Sequence, residues 1–470
     1  MIEPAVLPDI LSRDLGALAP GGKVLTDDPS LRKYSHDDAE WAPFEAPLAV
    51  VLASTTAEVA AVVNYAREHG IRIVPRGSGT GLSGGANAVR HCIVLSLELM
   101  TDVVEINVDE RYAVAQAGVI NDALREAAAA VGLWYPPDPA SSGISTIGGN
   151  AATNAGGICC VKYGVTRDYV LGLTVVLADG EIVHLGRRTA KGVTGYDLTG
   201  LMVGSEGTLG IITEVIVKLL PLAGRVEQGI IGYFPSLTAA GAAVAAISSE
   251  GIIPAALELI DRTCLRAVDD WLKLGLPGDA HVLLLAKVDE PGEAGRESSD
   301  RVAAIFTASG GVNVEQAVDP EEVGRLFLAR RMAYPALERL GPVLTEDVCV
   351  PRSAVPEMLS RIQASAAKHD LVIANIAHAG DGNLHPLIIA PEGDLPAKAR
   401  AKAAFDEIVE DCRALGGTVT GEHGVGLLKL PGAAAELEPR VIGMHQAVKD
   451  ALDPQGLLNP GKGFPHMMRH

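Results

Sequence analysis

A chain of 470 residues with 48% hydrophobic and only 4% aromatic residues, 52 glycines and a formal net charge of −19 has material for a large core spread over two or three domains, with many tight loops. The acidic balance argues against nucleic acid and anionic membrane surfaces as partners, while leaving an anionic substrate to be decided by local Arg and Lys. Cys92, Cys159, Cys160, Cys264, Cys349 and Cys412 form no C-x-x-C pair, which excludes a zinc ribbon or an iron–sulfur ligand run and fits reduced thiols in a cytoplasmic enzyme.

The opening "MIEPAVLPDILSRDLGAL" carries acids and no basic stretch ahead of a long apolar one, so it does not read as a signal peptide, and no apolar run long enough for a membrane span follows. Residues 55–70 predict a helix, with Thr55 and Glu58 as a capping box, Val59, Val62, Val63 and Ala66 on one face and Gly70 as the stop. "IRIVP" (71–75) and "CIVLSL" (92–97) predict strands around the glycine-dense loop "RGSGTGLSGGA" (76–86). Residues 118–133 predict a second helix, followed by a long loop, "PPDPASSGISTIGGNAATNAGG" (136–157), whose Gly, Ser, Thr and Asn content is hard to place in a core. "YVLGLTVVLADGEIVHLG" (169–186) predicts a hairpin turning at Asp179-Gly180. "GYDLTGLMVGSEGTLGIITEVIVKLLP" (195–221) predicts a polar Gly-rich segment and then a strand. Beyond residue 222 helical patterning increases and Gly loops thin out, which places a domain boundary there. Residues 397–415 predict a helix stopped by Gly416-Gly417. The tail "LDPQGLLNPGKGFP" (452–465) has the Pro and Gly of a segment that docks.

"GTGLSG" (79–84) matches G-x-G-x-x-G, but a strand follows too soon for the long helix of a Rossmann unit. Its backbone N–H groups can still form an anion-binding nest. Together with the second loop and a third, "GSEGTLG" (204–210), the chain resembles the flavin domain of the vanillyl-alcohol-oxidase/PCMH superfamily. The closer match is the branch of the glycolate oxidase flavoprotein subunit, D-lactate dehydrogenase and D-2-hydroxyglutarate dehydrogenase. "PRGSGTGLSGGA", "TIGGNAATNAGG", "KYGVTRDYVLGL", "GYDLTGLMVGSEGTLGIITE" and "LNPGKGFP" carry the resemblance, over about residues 40–465. It implies an α+β fold: a PCMH-type FAD-binding domain of two α+β subdomains (1–222), an α+β substrate domain (223–440) and a C-terminal segment (441–470) returning to the FAD domain. FAD would meet Pro75, Arg76, Gly77, Ser78, Gly79, Thr80, Gly81 and Ser83 at its diphosphate. Pro137, Asp138, Ser142, Thr146, Gly148, Gly149, Asn150, Asn154 and Gly156 would line the flavin and ribityl side, and Glu206, Gly210 and Ile211 the adenosine, with Asn459 from the tail. Residues 76–86 hold no histidine to tether the flavin, so FAD is expected to be non-covalent. Cys159-Cys160 reads as a pair of buried thiols.

In the second half, "LVIANIAHA" (371–379) and "LHPLIIA" (384–390) predict two strands joined by Gly380-Asp381-Gly382-Asn383, which sets His378 beside His385. A histidine pair starts a transition-metal site and needs a third ligand. "TVTGEHGVG" (418–426) supplies Glu422 and His423, adjacent on a strand-like segment and so expected to point opposite ways. The resemblance implies His378, His385 and Glu422 as ligands and His423 as the catalytic base. It also implies Arg330 as the grip on a substrate carboxylate, a pairing suited to a planar guanidinium, with Arg331 on a solvated helix face. A His₂Glu set favours zinc, with manganese and iron as alternatives.

The expected reaction is FAD- and metal-dependent oxidation of a D-2-hydroxy acid to the 2-oxo acid. Pro386 and Leu387 after His385, and Thr345 where the hydroxyglutarate branch has a Lys, leave a second substrate carboxylate without polar partners. That favours D-lactate or glycolate over D-2-hydroxyglutarate. Electrons would leave to an electron-transfer protein, a quinone, a dye or oxygen. A homodimer is the default assembly. The rival readings are a transferase like alkylglycerone-phosphate synthase and a non-catalytic flavin subunit.

Overall fold

The computed structural model describes residues 7–466 except 40, 223, 225 and 392; the ends of the expected first and last domain ranges, residues 1–6 and 467–470, lie outside the described residues. The described chain forms an α+β structure of two units. One comprises residues up to Gly157, Val165–Leu222 and Glu422 onward; the other comprises Ile158–Gly164 and Ala223–Gly421. The division after 222 coincides with the change of patterning. The return to the first unit falls at Glu422 instead of 441, and the short stretch Ile158–Gly164 belongs with the second unit. Lys162 explains that stretch: its ammonium meets Asp289 and Glu290 at 2.6 Å each, while the Tyr163 hydroxyl donates to Asp289.

The first unit holds three sheets. In the first, Ala49–Leu52 and Arg72–Arg76 flank Cys92–Ser96 in parallel and Lys23–Leu25 adds an antiparallel edge. Helix Thr56–His69 links the first two of these strands through Val59, Val62, Val63 and Ala66, all buried. Thr55 accepts from the Glu58 N–H and Gly70 closes the helix in the left-handed region, as the sequence predicts. Only half the capping box forms, because the Glu58 carboxylate accepts from the Gly21 and Ser54 N–H groups at 2.7 Å. The second sheet is antiparallel, in the order Val103–Asn107, Tyr112–Gln116, Ile211–Lys218, Val170–Val176, Ile182–Gly186. The third pairs Leu133–Trp134 with Leu220–Pro221. The helix expected over 118–133 is shorter, Asn121–Ala129. The second long loop, expected to resist a core, contains helix Ile147–Thr153, capped by Thr146, with Ile147, Gly148, Asn150 and Ala151 buried.

The tail docks on this unit. Helix Pro439–Leu452 carries Lys449, buried, whose ammonium donates to the carbonyls of Thr208 (2.6 Å) and Leu458 (2.9 Å) and pairs with Asp453. Asn459 donates its backbone N–H to Ile73 and its amide to the carbonyls of Gly85 and Glu206. Lys462, fully buried, donates to Gly85 and Asn87 carbonyls; burial brings its pKa down to about 8 against the pull of Asp37, Cys92 and Glu206.

The second unit is built on one antiparallel sheet. Its order is Val312–Ala317, Gln228–Phe234, Val282–Val288, Ala256–Asp261, Val372–His378, Asn383–Ile389 and Val343–Thr345, with Val348–Cys349 also pairing onto Asn383–Ile389. Helices cover both faces, so its central strands are buried along their length with no alternation. Arg262–Leu272 and Leu328–Glu338 pack on the face of Ile260, Ala374, Ile376 and Leu387. Gly292–Ala308 packs on the other, where Phe306 meets Phe234 edge-on at 5.6 Å.

Candidate functional site

The three glycine loops of the first unit surround one cavity. Pro75 through Gly81 and Ser83 line it, as do Thr146, Gly148, Gly149, Asn150 and Gly156, and Glu206, Gly210 and Ile211. Five residues expected at the flavin stand off this wall. The Pro137 carbonyl accepts from Asn121 Nδ2, Ser142 accepts from the Asp122 N–H, and Asp138 lies against Gly157. Asn154 ends the helix in the left-handed region and accepts from the Arg167 N–H, and Asn459 pins the loops from behind. In their place the wall includes Pro139, Ala140, Ser141, Ser145, Gly207 and Asp37. The Asp37 carboxylate accepts from Ala39 and Ala86 N–H groups and so shapes the first loop; no local sequence pattern marks it.

This wall fits an extended polar cofactor. Ser145 Oγ and Arg76 Nε are buried without a hydrogen-bond partner. Gly79 has φ +83°, where a Cβ would run into the Arg76 guanidinium, so backbone and cation are brought together by the absence of a side chain. Gly148 N–H donates to the Ala117 carbonyl at 2.9 Å, and a Cβ on Gly148 would come within 2.5 Å of the Ala117 methyl.

Glu422 and His423 also line the cavity. The strand expected before them is a single bridge between Thr418 and Cys349, and 421–423 form a bend. The two side chains therefore do not point opposite ways: His423 Nε2 lies 3.9 Å from Glu422 Oε1. The bend is stitched to the loops. Ser83 Oγ donates to the carbonyls of His423 and Gly424, and the Glu206 carboxylate accepts from Val425 and Gly426 N–H at 2.8 Å each. Burial raises the Glu206 pKa; those two N–H groups oppose the rise.

In the second unit the expected hairpin forms, Val372–His378 with Asn383–Ile389. His378 stands opposite Asn383 and His385 opposite Ile376, so the histidines are diagonal neighbours on one face. Their rings lie 5.2 Å apart, edge to face, 5% and 7% exposed. The same face runs on through Ile376, Ala374, Leu387 and Ile389 into the core. Two buried acids that sequence reasoning missed back the rings. Glu258, opposite His378 in the adjacent strand and fully buried, meets His378 Nδ1 at 2.6 Å. Burial works against its charge, but His378 and Arg330 outweigh that and hold the Glu258 carboxyl below its usual range. Asp347 lies 3.8 Å from His385 Nδ1 and accepts from Thr420 Oγ1 (2.8 Å) and the Gly421 N–H (2.9 Å). No motif surrounds either acid; strand register brings Glu258 to His378, and Asp347 reaches His385 from the link between Val343–Thr345 and Val348–Cys349.

Arg330, on helix Leu328–Glu338, places Nε and Nη2 each 2.8 Å from Glu258 Oε2, whereas Arg331 turns outward and bonds the Gly324 carbonyl. The donor set fits a divalent cation. Both histidines turn Nδ1 toward a carboxylate, so a cation would be met by Nε2 of each, the arrangement found around metal-binding imidazoles.

Residues 47–186 match the family described as FAD binding domain, and residues 228–463 match FAD linked oxidases, C-terminal domain. The chain is 44% identical to the Glycolate oxidase subunit GlcD of Bacillus subtilis over 89% of both chains. It is 39% identical to the Glycolate oxidase subunit GlcD of Escherichia coli (96% of this chain, 90% of the relative) and 35% identical to a D-lactate dehydrogenase of Anaerostipes hadrus (94% of each). Among solved structures, p-cresol methylhydroxylase superposes with a TM-score of 0.79 at 19% identity over 97% of both chains, which shows a shared PCMH-type fold. Among the described residues no helix is long and apolar enough to cross a membrane. With a glycine-walled cavity in its FAD-binding domain and the matching C-terminal domain following it in the sequence, the chain belongs to the FAD-linked oxidase family and is a flavin-dependent oxidoreductase.

Proposed function

We propose that the protein oxidises a D-2-hydroxy acid, D-lactate or glycolate in preference, to the 2-oxo acid and passes the electrons to an external acceptor. The observation that carries this reading is the buried pair His378 and His385, each backed by a carboxylate, on the sheet face that also receives Arg330. The names of the relatives, glycolate oxidase subunits and a D-lactate dehydrogenase, support the substrate class.

FAD, when bound, supplies the hydride acceptor, and a divalent cation supplies a Lewis acid that lowers the pKa of the substrate hydroxyl. His378 and His385 would hold that cation, with Glu422 as third ligand. Support for Glu422 comes from the chain itself: the preceding Gly421 N–H is anchored by Asp347, the acid behind His385. His423, on the cavity wall, takes the hydroxyl proton as general base. Arg330 pairs with the substrate carboxylate. Leu387, on the histidine face and 1% exposed, gives a second carboxylate nothing to bond, which favours a short acid. The first loop carries no histidine, which supports non-covalent FAD; acid precipitation should leave the yellow colour in solution, and colour in the pellet refutes this.

The test is anaerobic addition of D-lactate, glycolate or D-2-hydroxyglutarate, following flavin absorbance with and without prior chelation. Bleaching by a short acid that chelation abolishes supports the reading. A tenfold preference in kcat/KM for D-2-hydroxyglutarate over D-lactate overturns the substrate choice. No bleaching by any hydroxy acid, in protein carrying FAD and metal, overturns the reaction.

A further inference from the structure

We propose that Glu258 is a positioning residue for this site, one carboxylate that orients both a metal-ligating imidazole and the substrate's guanidinium partner. The proposal rests on the reading above and adds a residue to it.

Glu258 lies on strand Ala256–Asp261, in register with His378, with no exposed surface. Its two oxygens divide their work. Oε1 meets His378 Nδ1 at 2.6 Å, and Oε2 takes Arg330 Nε and Nη2 at 2.8 Å each. An ionised carboxylate only accepts, so the proton of a neutral His378 sits on Nδ1 and the lone pair on Nε2. That is the tautomer a cation requires, set before any cation arrives. On the other side, two donors on one oxygen fix the plane of the guanidinium, while Nη1 takes no part in this contact. A buried carboxylate–guanidinium pair is a poor device for stability, since apolar residues of similar volume do as well or better. Placed between the histidine pair and Arg330, it is accounted for by orientation. At the other ring, Asp347 lies 3.8 Å from His385 Nδ1.

Glu258→Gln keeps the shape and reverses the logic. Arg330, which only donates, claims the amide oxygen. The amide NH₂ then faces His378 Nδ1 and drives the proton to Nε2, the ligating nitrogen. Metal binding and substrate binding should therefore weaken together.

The experiment uses full-length, FAD-loaded protein stripped of metal by chelation, into which Zn²⁺ or Mn²⁺ is titrated by calorimetry, with KM for D-lactate measured in parallel. Glu258→Gln is expected to lower metal affinity about 10–100-fold and raise KM, with flavin content unchanged. Arg330→Met is expected to raise KM and leave metal affinity as in wild type. Glu258→Asp, charged but a methylene short, should fail to restore both. If Glu258→Gln does not fold, Glu258→Leu/Arg330→Met removes both charges, deprives His378 Nδ1 of its Glu258 acceptor and reports metal affinity in its place. Wild-type metal affinity in Glu258→Gln or in the double variant Glu258→Leu/Arg330→Met overturns the role of Glu258 while the proposed reaction stands. A wild-type protein that binds neither Zn²⁺ nor Mn²⁺ overturns the metal reading and Glu258's role with it.

Discussion

The two units build their sites from different materials. The cavity of the first is made largely of backbone: loops without side chains at Gly77, Gly79, Gly148 and Gly149, with Ser145, Thr146 and Arg76 as its polar features. The candidate site of the second is made of side chains: Glu258, His378 and His385 on the sheet, met by Arg330 from a helix and Asp347 from a link between strands, with little exposed surface among them. A backbone cradle presents N–H groups to a large anionic cofactor and tolerates changes of side chain elsewhere. A cluster of buried ionisable groups suits a small cation or a carboxylate, and each member depends on its partner for solvation. The first site should fail when atoms are added and the second when charges are removed.

The largest expected effect separates the two directly. His423→Ala should lower kcat about 10²–10⁴-fold, the usual contribution of general-base catalysis. FAD should stay bound, because the backbone carbonyl of His423 that Ser83 uses is unchanged. Equal loss of FAD and kcat would show that His423 builds the cavity instead of reacting in it. Next, His385→Ala should reduce metal content and affinity by at least about tenfold without altering flavin content; metal measured by atomic absorption at wild-type level would remove His385 from the ligands. Arg330→Ala should raise KM for the hydroxy acid about tenfold or more, the worth of a charged hydrogen bond of about 1.5–3 kcal/mol; an unchanged KM would take it out of the substrate site.

Added atoms test the other half. Gly148→Ala forces a methyl to within 2.5 Å of Ala117, in a segment whose backbone is already bonded to it, and should cost about 1–3 kcal/mol. Flavin release on dilution should rise with it, while Zn²⁺ affinity is unchanged; a retained flavin would show that the cradle yields more than its packing suggests. The smallest effect lies away from both sites. Glu407 receives Lys368, His369 and Ser365, and these bonds, Lys368's foremost, hold its pKa down to about 2 from the ordinary 4.5. A folded-state value below the unfolded one adds stability above pH 4.5 that is lost as pH falls toward 2. The side chain is 30% exposed, so the contribution should stay below about 1 kcal/mol. Glu407→Gln should flatten the acid limb of melting temperature against pH, and an unaltered limb would show that the cluster carries no net stability.

Much of both sites was legible before folding, because these signals are local. Glycine where a side chain would collide, Thr55 and Gly70 at the ends of a helix, and a hairpin joining His378 to His385 each depend on residues a few positions apart. The helix Ile147–Thr153 inside a loop that looked structureless was missed because Gly and Asn weaken its pattern; Thr146 as cap was the available sign. The opposed directions expected for Glu422 and His423 failed because Gly421 and Gly424 flank a bend in place of a strand.

By itself the sequence determined the α+β character, the family, the three-loop cradle and the histidine hairpin, since each rests on backbone preferences of neighbouring residues. Tertiary structure alone decided that Glu258 answers His378, Asp347 answers His385 and anchors Gly421, Asp37 shapes the first loop, and Ile158–Gly164 joins the second unit. Those choices depend on which strands pair and in which register. Burial then decides which charges must find one another, and no short stretch of sequence contains both partners.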